Sequence, residues 1–175
     1  MVRVFTLICR GYEEVCKMGI FFSGRELIEI AIGIEKNGAR FYDSLAGSAK
    51  DLGAKVTYKY LADQEREHAA IFQKMLGLVS EYKPPETCTE QYNLYLKALV
   101  DSLVFTDDKV MLKMARNVNS DAEAIQIGVG AEKDSILFYI EVRDLVRRSE
   151  RKVVSKIIEE ERSHLRQLTE IKKSL

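Results

Sequence analysis

Both histidines of this chain, His68 and His164, lie in the same short motif, Glu-x-x-His. Glu65 precedes the first histidine and Glu161 precedes the second. Residues three apart on a helix lie on one face, so a carboxylate and an imidazole in this motif can bind the same metal ion. One match carries little weight because glutamate is common in helices, but a chain that uses every histidine in this way indicates a metal site.

The two motifs belong to an internal repeat. The segment GIEK at residues 33–36, with FY at 41–42, recurs as GAEK at 130–133 with FY at 138–139, an offset of 97 residues. The two Glu-x-x-His motifs are offset by 96, and an interhelical turn easily absorbs a one-residue difference. Two such halves, packed about a pseudo-twofold axis, would bring four glutamates and two histidines to one centre.

Glu35 and Glu132, which occupy equivalent places in the repeat, both lie within apolar stripes. Positions four and seven residues away share a helical face. Those positions hold Ile28, Ala31, Ala39 and Tyr42 around the first glutamate, and Ile125, Gly128, Ile136 and Tyr139 around the second. A charged glutamate facing a core is costly unless it is paired or bound to metal. Two other interpretations are open: both glutamates could be ordinary surface residues, and both histidines could be hydrogen-bonded residues of the core. The repetition of the motifs favours metal ligation over either.

The sequence predicts an all-α chain with almost no strand. Ser23 and Ser120 each begin a capping box, Ser-x-x-Glu, which starts a helix. The second helix is expected to bury an apolar face that includes Val56, Tyr60, Leu61 and Phe72. Four long helices are predicted, at about residues 23–47, 54–79, 120–147 and 149–173.

A connection of about residues 80–119 joins the two helix pairs. Pro84 and Pro85 stop any helix nearby, a short amphipathic helix is expected over about residues 92–103, and Thr106 caps another. The predicted architecture is a four-helix bundle of two antiparallel pairs with a long, partly helical crossover. We assign the bundle to a single domain over residues 23–175 and treat residues 1–22 as an N-terminal appendage.

The charge balance, the apolar runs and the cysteines of the chain each exclude a class of protein or site. Lys plus Arg and Asp plus Glu both number 27, so nucleic acid is not an expected partner. No apolar run is long enough to span a bilayer, and no membrane association is expected. Cys9, Cys16 and Cys88 form no Cys-x-x-Cys pair, which excludes a zinc ribbon or a rubredoxin-type iron site. The absence of a disulfide framework favours a cytoplasmic location.

On these motifs the chain resembles the rubrerythrin family of the ferritin-like di-iron carboxylate superfamily, over about residues 23–174. The resemblance implies a ferritin-like four-helix bundle. The metal ligands that it implies are Glu35, Glu65, His68, Glu132, Glu161 and His164. By the same resemblance Glu65 and Glu161 bridge two ions, Glu35 and Glu132 are terminal ligands, and each ion takes one histidine.

Two features depart from the family pattern. Rubrerythrins typically carry an extra glutamate three residues after the third-helix ligand, and this chain has Ser135 there. The site therefore resembles the more symmetric bacterioferritin pattern. Rubrerythrins also often carry a rubredoxin-like domain, which is missing, so we expect electrons from a separate donor protein such as a rubredoxin.

Oxygen-rich ligation with one imidazole per ion suits iron, and two iron ions are the expected cofactor, with manganese or zinc as alternatives. Two ions about 3.5–4 Å apart can supply one electron each, which suits the reduction of hydrogen peroxide to water. A ferroxidase that uses dioxygen to handle iron and a metal-free structural bundle are the competing hypotheses. A homodimer or small homo-oligomer is expected, because bundles of the family that the chain resembles are often dimeric and the amphipathic crossover offers an apolar surface. Iron storage would instead need a hollow shell.

Tyr42 and Tyr139 are the candidate catalytic residues. They recur beside the glutamates, where they either hydrogen-bond the ligands or quench oxidising equivalents. The interpretation as core tyrosines with satisfied hydroxyls is equally open.

Two glycines and most of one run of glutamates are interpreted as structural, with no role in the metal site. Gly33 and Gly130 lie inside predicted helices, where close helix packing would explain them. In the run of three glutamates that ends at Glu161, only Glu161 is in register with His164. We therefore expect Glu160 to face solvent.

Overall fold

The structure is a computed structural model that describes residues 22–78, 90–103, 113 and 117–174. Its helices within these ranges are α1 (Gly24–Ser48), α2 (Leu52–Leu78), α3 (Glu90–Ser102), α4 (Asp121–Leu145) and α5 (Arg148–Ser174). The described residues contain no strand, which confirms the all-α prediction. The appendage, apart from Phe22, and nearly all of the second predicted crossover helix lie outside these ranges. None of the described helices is both long and apolar enough to cross a membrane.

Both capping serines start their helices as predicted. The Glu26 backbone N–H donates to Ser23 Oγ at 3.1 Å, and the Ser23 N–H donates to the Glu26 carboxylate at 2.7 Å, which completes the box. At α4 the Glu123 N–H donates to Ser120 Oγ at 3.2 Å. The Glu123 carboxylate instead accepts from the Asn119 N–H at 2.9 Å, so the predicted reciprocal bond is displaced by one residue.

The internal repeat is visible in the lengths of the helices. α1 and α4 each have 25 residues, and α2 and α5 each have 27. The α1–α2 connection is the three-residue segment Ala49–Asp51, whereas only Val146 and Arg147 separate α4 from α5. The one-residue difference between the offsets therefore lies in the connection and leaves the helices in matching register.

The four long helices form two antiparallel pairs, as predicted. Glu35 of α1 contacts His68 of α2, whereas Tyr42, which comes later in α1, contacts Tyr58, which comes earlier in α2. These two helices therefore run in opposite directions. The pairs α1–α2 and α4–α5 meet through contacts of α1 with α4 and of α2 with α5. The crossover helix α3 packs on α4, where two of its tyrosine hydroxyls donate to Glu141 at 2.5 and 3.2 Å.

The predicted core face of α2 is partly wrong. Val56 and Tyr60 are 60 % and 46 % exposed, whereas Leu61 and Phe72 are buried as expected. The buried face begins instead with Ala54 and Tyr58 and continues in helical register towards His68. The first two turns carry large apolar side chains on both faces, so their residue types alone do not distinguish the core face from the outer one.

Candidate metal centre

All six predicted ligands meet at the centre of the bundle. Each is at most 5 % exposed: Glu35, Glu65, His68, Glu132, Glu161 and His164. Each long helix contributes to the cluster. α1 and α4 each provide one glutamate, and α2 and α5 each provide a Glu-x-x-His motif, with its two side chains on one helical face.

The six residues divide into two sets that share two carboxylates. The first set is Glu35, Glu65, His68 and Glu161, and the second is Glu65, Glu132, Glu161 and His164. Within each set, one potential ligand atom from every residue lies within 4.8 Å of the others. The shared members, Glu65 and Glu161, are the two residues for which the resemblance implies bridging. Metal binding by these sets remains a prediction.

Glu161 directs its two oxygens at different histidines. Its Oε1 lies 2.8 Å from His68 Nδ1, and its Oε2 lies 3.0 Å from His164 Nδ1. The unshared glutamates lie further away, with Glu35 Oε2 3.6 Å from His68 Nδ1 and Glu132 Oε2 3.8 Å from His164 Nδ1. The two imidazole rings stack with centroids 5.7 Å apart, so both Nδ1 atoms face the carboxylates.

Three buried atoms of the cluster have no hydrogen-bond partner among the described residues: His68 Nδ1, Glu132 Oε2 and Glu161 Oε1. Although Nδ1 and Oε1 are close, their geometry is not that of a hydrogen bond. Buried polar atoms without partners cost free energy. A pair of divalent cations would satisfy all three, and the oxygen-rich donor set with imidazoles suits iron or manganese. The residues therefore fit a two-metal centre.

In the metal-free protein the carboxylates differ in proton affinity. Burial and the repulsion of Glu161 raise the pKa of Glu65 and of Glu132 well above the ordinary value. Burial acts in the same direction on Glu161, but the adjacent His164 and His68 lower its pKa well below that value. The cluster thus retains protons on some carboxylates while another stays ionised.

The histidines bind protons more tightly than usual in the metal-free protein. Burial lowers the pKa of His164, but contacts with Glu132 and Glu161 outweigh it and raise the value to about 11. The pKa of His68 is raised further, against the same effect of burial, by Glu161 and Glu35. Because metal ligation needs free carboxylates and a free imidazole nitrogen, metal binding must release protons.

The two candidate catalytic tyrosines connect the halves of the molecule. The Tyr42 hydroxyl donates to Glu132 Oε1, and the Tyr139 hydroxyl donates to Glu35 Oε1 at 2.5 Å. Both tyrosines are fully buried. Each therefore hydrogen-bonds the unshared glutamate of the other half, a pairing that spacing within one helix could not predict. A catalytic role for either tyrosine remains a prediction.

Glu160 does not face solvent as expected. Its Oε2 lies 2.9 Å from His68 Nε2, and its side chain is only 32 % exposed. The expectation was wrong because the antiparallel packing of α2 on α5 brings this position over the outer nitrogen of the histidine. The equivalent residue of the other half is Gln64, whose contacts are with Tyr60 and Glu67. A carboxylate against the outer nitrogen is the contact that orients a histidine when it ligates a metal, and Glu160 makes this contact with His68.

Close packing at Gly33 and Gly130 was also expected, and this is wrong. An added Cβ would meet nothing within 4 Å at either position. The close approach is at Gly128, where a Cβ would lie 3.2 Å from Leu168 and 3.3 Å from the Tyr42 hydroxyl oxygen. Gly128 therefore leaves room for Tyr42. The sequence signal for this close approach was the position of Gly128, four residues before Glu132 on the same face of the helix.

Ser135, which stands in place of the extra family glutamate, lies beside the centre. It is 8 % exposed and lines a narrow cleft between α1 and α4 with Gly38, the equivalent position of the other half. The cleft also touches Glu65 and Glu132. The cleft marks where the bundle wall over the centre is thinnest, but it is too narrow to admit a water molecule.

An antiparallel four-helix bundle with a buried centre of four glutamates and two histidines has the architecture of the ferritin-like di-iron carboxylate proteins. The rubrerythrin family model matches residues 26–172, and the chain belongs to that family. A crystal structure of a Thermotoga maritima protein, proposed to be a ferritin-like di-iron carboxylate protein, is similar with a TM-score of 0.67 and 31% sequence identity. The similarity covers 87% of this chain and 96% of that one. No curated protein matches the sequence.

Proposed function

We propose that this chain is a di-iron oxidoreductase that reduces hydrogen peroxide to water, with electrons from a separate donor protein such as a rubredoxin. The observation that supports it is the pair of buried ligand sets that share Glu65 and Glu161. Two iron ions bound there would supply two electrons to one peroxide molecule, which with two protons becomes two molecules of water. Membership of the rubrerythrin family supports the same chemistry.

The residues of the chain have separable roles in this proposal. Glu65 and Glu161 would hold both ions, while each remaining glutamate and histidine would hold one. Tyr42 and Tyr139 bind only the Oε1 atoms of the terminal glutamates. The Oε2 atoms, which face the histidines, are thereby left for metal. Burial of the whole set keeps bulk water away and strengthens electrostatic contacts inside it.

In this proposal a small oxidant would approach the centre along the cleft between α1 and α4. Gly38 and Ser135 line it, and it reaches the Glu65 and Glu132 carboxylates from outside. A glutamate at position 135 would fill this space. Serine fills less of it than glutamate would and offers a hydroxyl that can donate a hydrogen bond, and the cleft would have to widen for hydrogen peroxide or dioxygen to pass.

A ferroxidase that oxidises iron with dioxygen is the second candidate. The observation that favours it is Ser135, because without an extra carboxylate the two ligand sets have the same composition. The two candidates differ in assembly, since storage needs a shell of many chains. We propose a dimer or small oligomer, and light scattering that found about two dozen chains would favour storage.

Anaerobic loading with ferrous iron, followed by rapid mixing with peroxide or with dioxygen, tests the proposal. We expect two ions per chain and faster oxidation by peroxide than by dioxygen, with two waters formed for each peroxide consumed. Glu161→Ala serves as the control that lacks the centre. Preference for dioxygen would favour the ferroxidase, and failure to retain iron would leave a structural bundle.

A further inference from the structure

We propose that Tyr58 is a one-electron relay that connects Tyr42, and through it the metal centre, to a small cavity at one end of the bundle. The relay would carry oxidising equivalents away from the centre when the donor protein supplies no electrons. It rests on the proposed function, because a strong oxidant must arise at the centre for a tyrosine to be oxidised.

The inner part of the relay is continuous. The Tyr42 hydroxyl donates to Glu132 Oε1, next to one of the two ligand sets. The Tyr42 ring then stacks on the ring of Tyr58, with centroids 6.3 Å apart and an interplanar angle of 17°. Both side chains are buried. Two stacked phenols in a dry environment can exchange an electron without any movement of the protein.

Among the described residues, the other half of the molecule has no such pair. The residue that corresponds to Tyr58, 96 positions later, is Val154, which is fully buried. Tyr139 packs against Phe72 and Phe138, with centroids 5.1 and 5.9 Å away, and a phenylalanine ring is far harder to oxidise than a phenol. The fold can therefore fill this position with an aliphatic side chain, and packing alone does not require a tyrosine.

The hydroxyl of Tyr58 supports a role other than packing. It is buried and has no hydrogen-bond partner among the described residues. A buried hydroxyl without a protein partner costs free energy that phenylalanine would avoid. Burial, with the nearby charges of Asp121 and Asp51, raises the pKa of Tyr58 to about 12. The hydroxyl therefore keeps its proton at neutral pH and would lose it only on oxidation.

The outer end of the relay is a cavity of about 90 Å³ where α1 ends and α4 begins. Tyr58 lines it together with Lys50, Asn119 and Asp121. One water molecule occupies about 30 Å³ in the liquid, so the cavity has room for water that can accept a proton. Tyr58 is only 1 % exposed, so a small reductant in solution would deliver its electron across this cavity and not by direct contact with the ring.

One electron and one proton move at each step of the relay. Tyr42 gives one electron to the oxidised centre and its proton to Glu132 Oε1, which leaves a Tyr42 phenoxyl radical. Tyr58 then gives one electron to that radical, which recovers its proton from Glu132. The proton of Tyr58 passes to water in the cavity. A one-electron reductant of the ascorbate class finally returns an electron and a proton to Tyr58.

The test treats the iron-loaded protein with excess peroxide, or in parallel with dioxygen, in the presence of a nitroso spin trap. Adducts are mapped by peptide mass spectrometry, and radicals are followed by freeze-quench electron paramagnetic resonance. We expect adducts at Tyr58 in the wild type and their loss in Tyr42→Phe. In Tyr58→Phe, peroxide consumption should persist, while the remaining radical should decay more slowly when ascorbate is added.

Tyr60→Phe is the matched control. Tyr60 lies against His164 with centroids 6.2 Å apart, but it is exposed and makes no stacked contact with Tyr42, so its loss should leave the Tyr58 adduct unchanged. The relay is overturned if Tyr58 stays unlabelled with both oxidants, or is labelled equally without Tyr42. Failure of the proposed function would give a different result from failure of the relay. It would appear as peroxide consumption by the wild type no faster than that by Glu161→Ala.

Discussion

Glu161 is the residue through which both ligand sets are most closely connected, since each of its oxygens approaches a different histidine. Glu161→Ala should reduce bound iron from two ions per chain to well below one, because a shared carboxylate is lost. The control is Glu159→Ala, whose side chain is 69% exposed and pairs with Arg162, so that its loss should change stability by no more than about 0.5 kcal/mol. Iron analysis after anaerobic loading measures the difference, and equal content in both variants would contradict the assignment.

Glu160 should affect one metal position more than the other, because it contacts His68 and its equivalent contacts neither histidine. We expect Glu160→Ala to weaken binding of one ion by roughly 10–100-fold, as the loss of an outer partner of a ligating histidine does. The matched control is Gln64→Ala. Mössbauer spectra of the two variants, titrated with iron, should differ in the occupancy of one site. Equal titrations would show that the contact with His68 does not matter.

Gly128 and Gly130 are separated by one residue in α4, and replacing each with alanine should change the stability in opposite directions. Gly128→Ala should destabilise by about 1–3 kcal/mol, because the new methyl group would crowd Leu168 and the Tyr42 hydroxyl. Gly130→Ala should stabilise by up to about 1 kcal/mol, since its Cβ enters open space and alanine favours the helix. Urea unfolding of the metal-free proteins measures both. Changes of the same sign would contradict the packing described around Tyr42.

Among the helices, the capping serines Ser23 and Ser120 determine where α1 and α4 begin. Ser23→Ala removes the side chain that accepts the Glu26 N–H and should cost about 1 kcal/mol. For a chain of this size that corresponds to a decrease of about 2–4 °C in Tm. Ser23→Asp retains an acceptor and should unfold near the wild-type temperature. If the aspartate variant melted as low as the alanine variant, capping would not explain the loss.

The helices were predictable because their signals are local. The capping box at Ser23 and the apolar stripe around Glu35 depend on residues within two turns of the same helix. The same reasoning selected the wrong outer residues on the first turns of α2, where Val56 is exposed. Apolar residue types there occur on more than one face, and only the packing of the neighbouring helices determines which face is buried.

The candidate ligands were predictable because they repeat, whereas their supporting contacts were not. The contact of Glu160 with His68 and the hydrogen bond of Tyr42 to Glu132 join different helices. Such contacts depend on the relative height and rotation of two helices, which spacing within one helix does not specify. Tyr58 carries no motif of its own, and its stacking on Tyr42 becomes visible only in the packed bundle.

At the scale of the whole molecule, folding, metal and protons are linked. In the metal-free protein the raised pKa of Glu65 and Glu132 favours the folded state at low pH, and this contribution is lost as pH rises through those values. The lowered pKa of Glu161 contributes above its unfolded value and is lost as pH falls. His164, with a pKa of about 11, keeps its contribution through neutral pH.

Metal should therefore raise the melting temperature more at higher pH. We expect the difference in Tm between iron-loaded and metal-free protein to grow from about pH 5 to about pH 7.5, because metal replaces protons that the cluster otherwise retains. Calorimetry in buffers of different ionisation enthalpy should show proton release on binding. Glu161→Ala should show neither effect, and a Tm difference independent of pH would contradict the linkage.

The crossed hydrogen bonds of Tyr42 and Tyr139 also limit how the two halves of this chain can diverge over evolutionary time. A change at Glu35 or Glu132 leaves a buried hydroxyl of the other half without its acceptor, so neither half can change alone at these four positions. Positions outside that exchange are free to differ, and Tyr58 against Val154 and Gln64 against Glu160 already do. Asymmetry can therefore enter through the residues around the cluster, while the two glutamates and the two tyrosines of the exchange are constrained to change together.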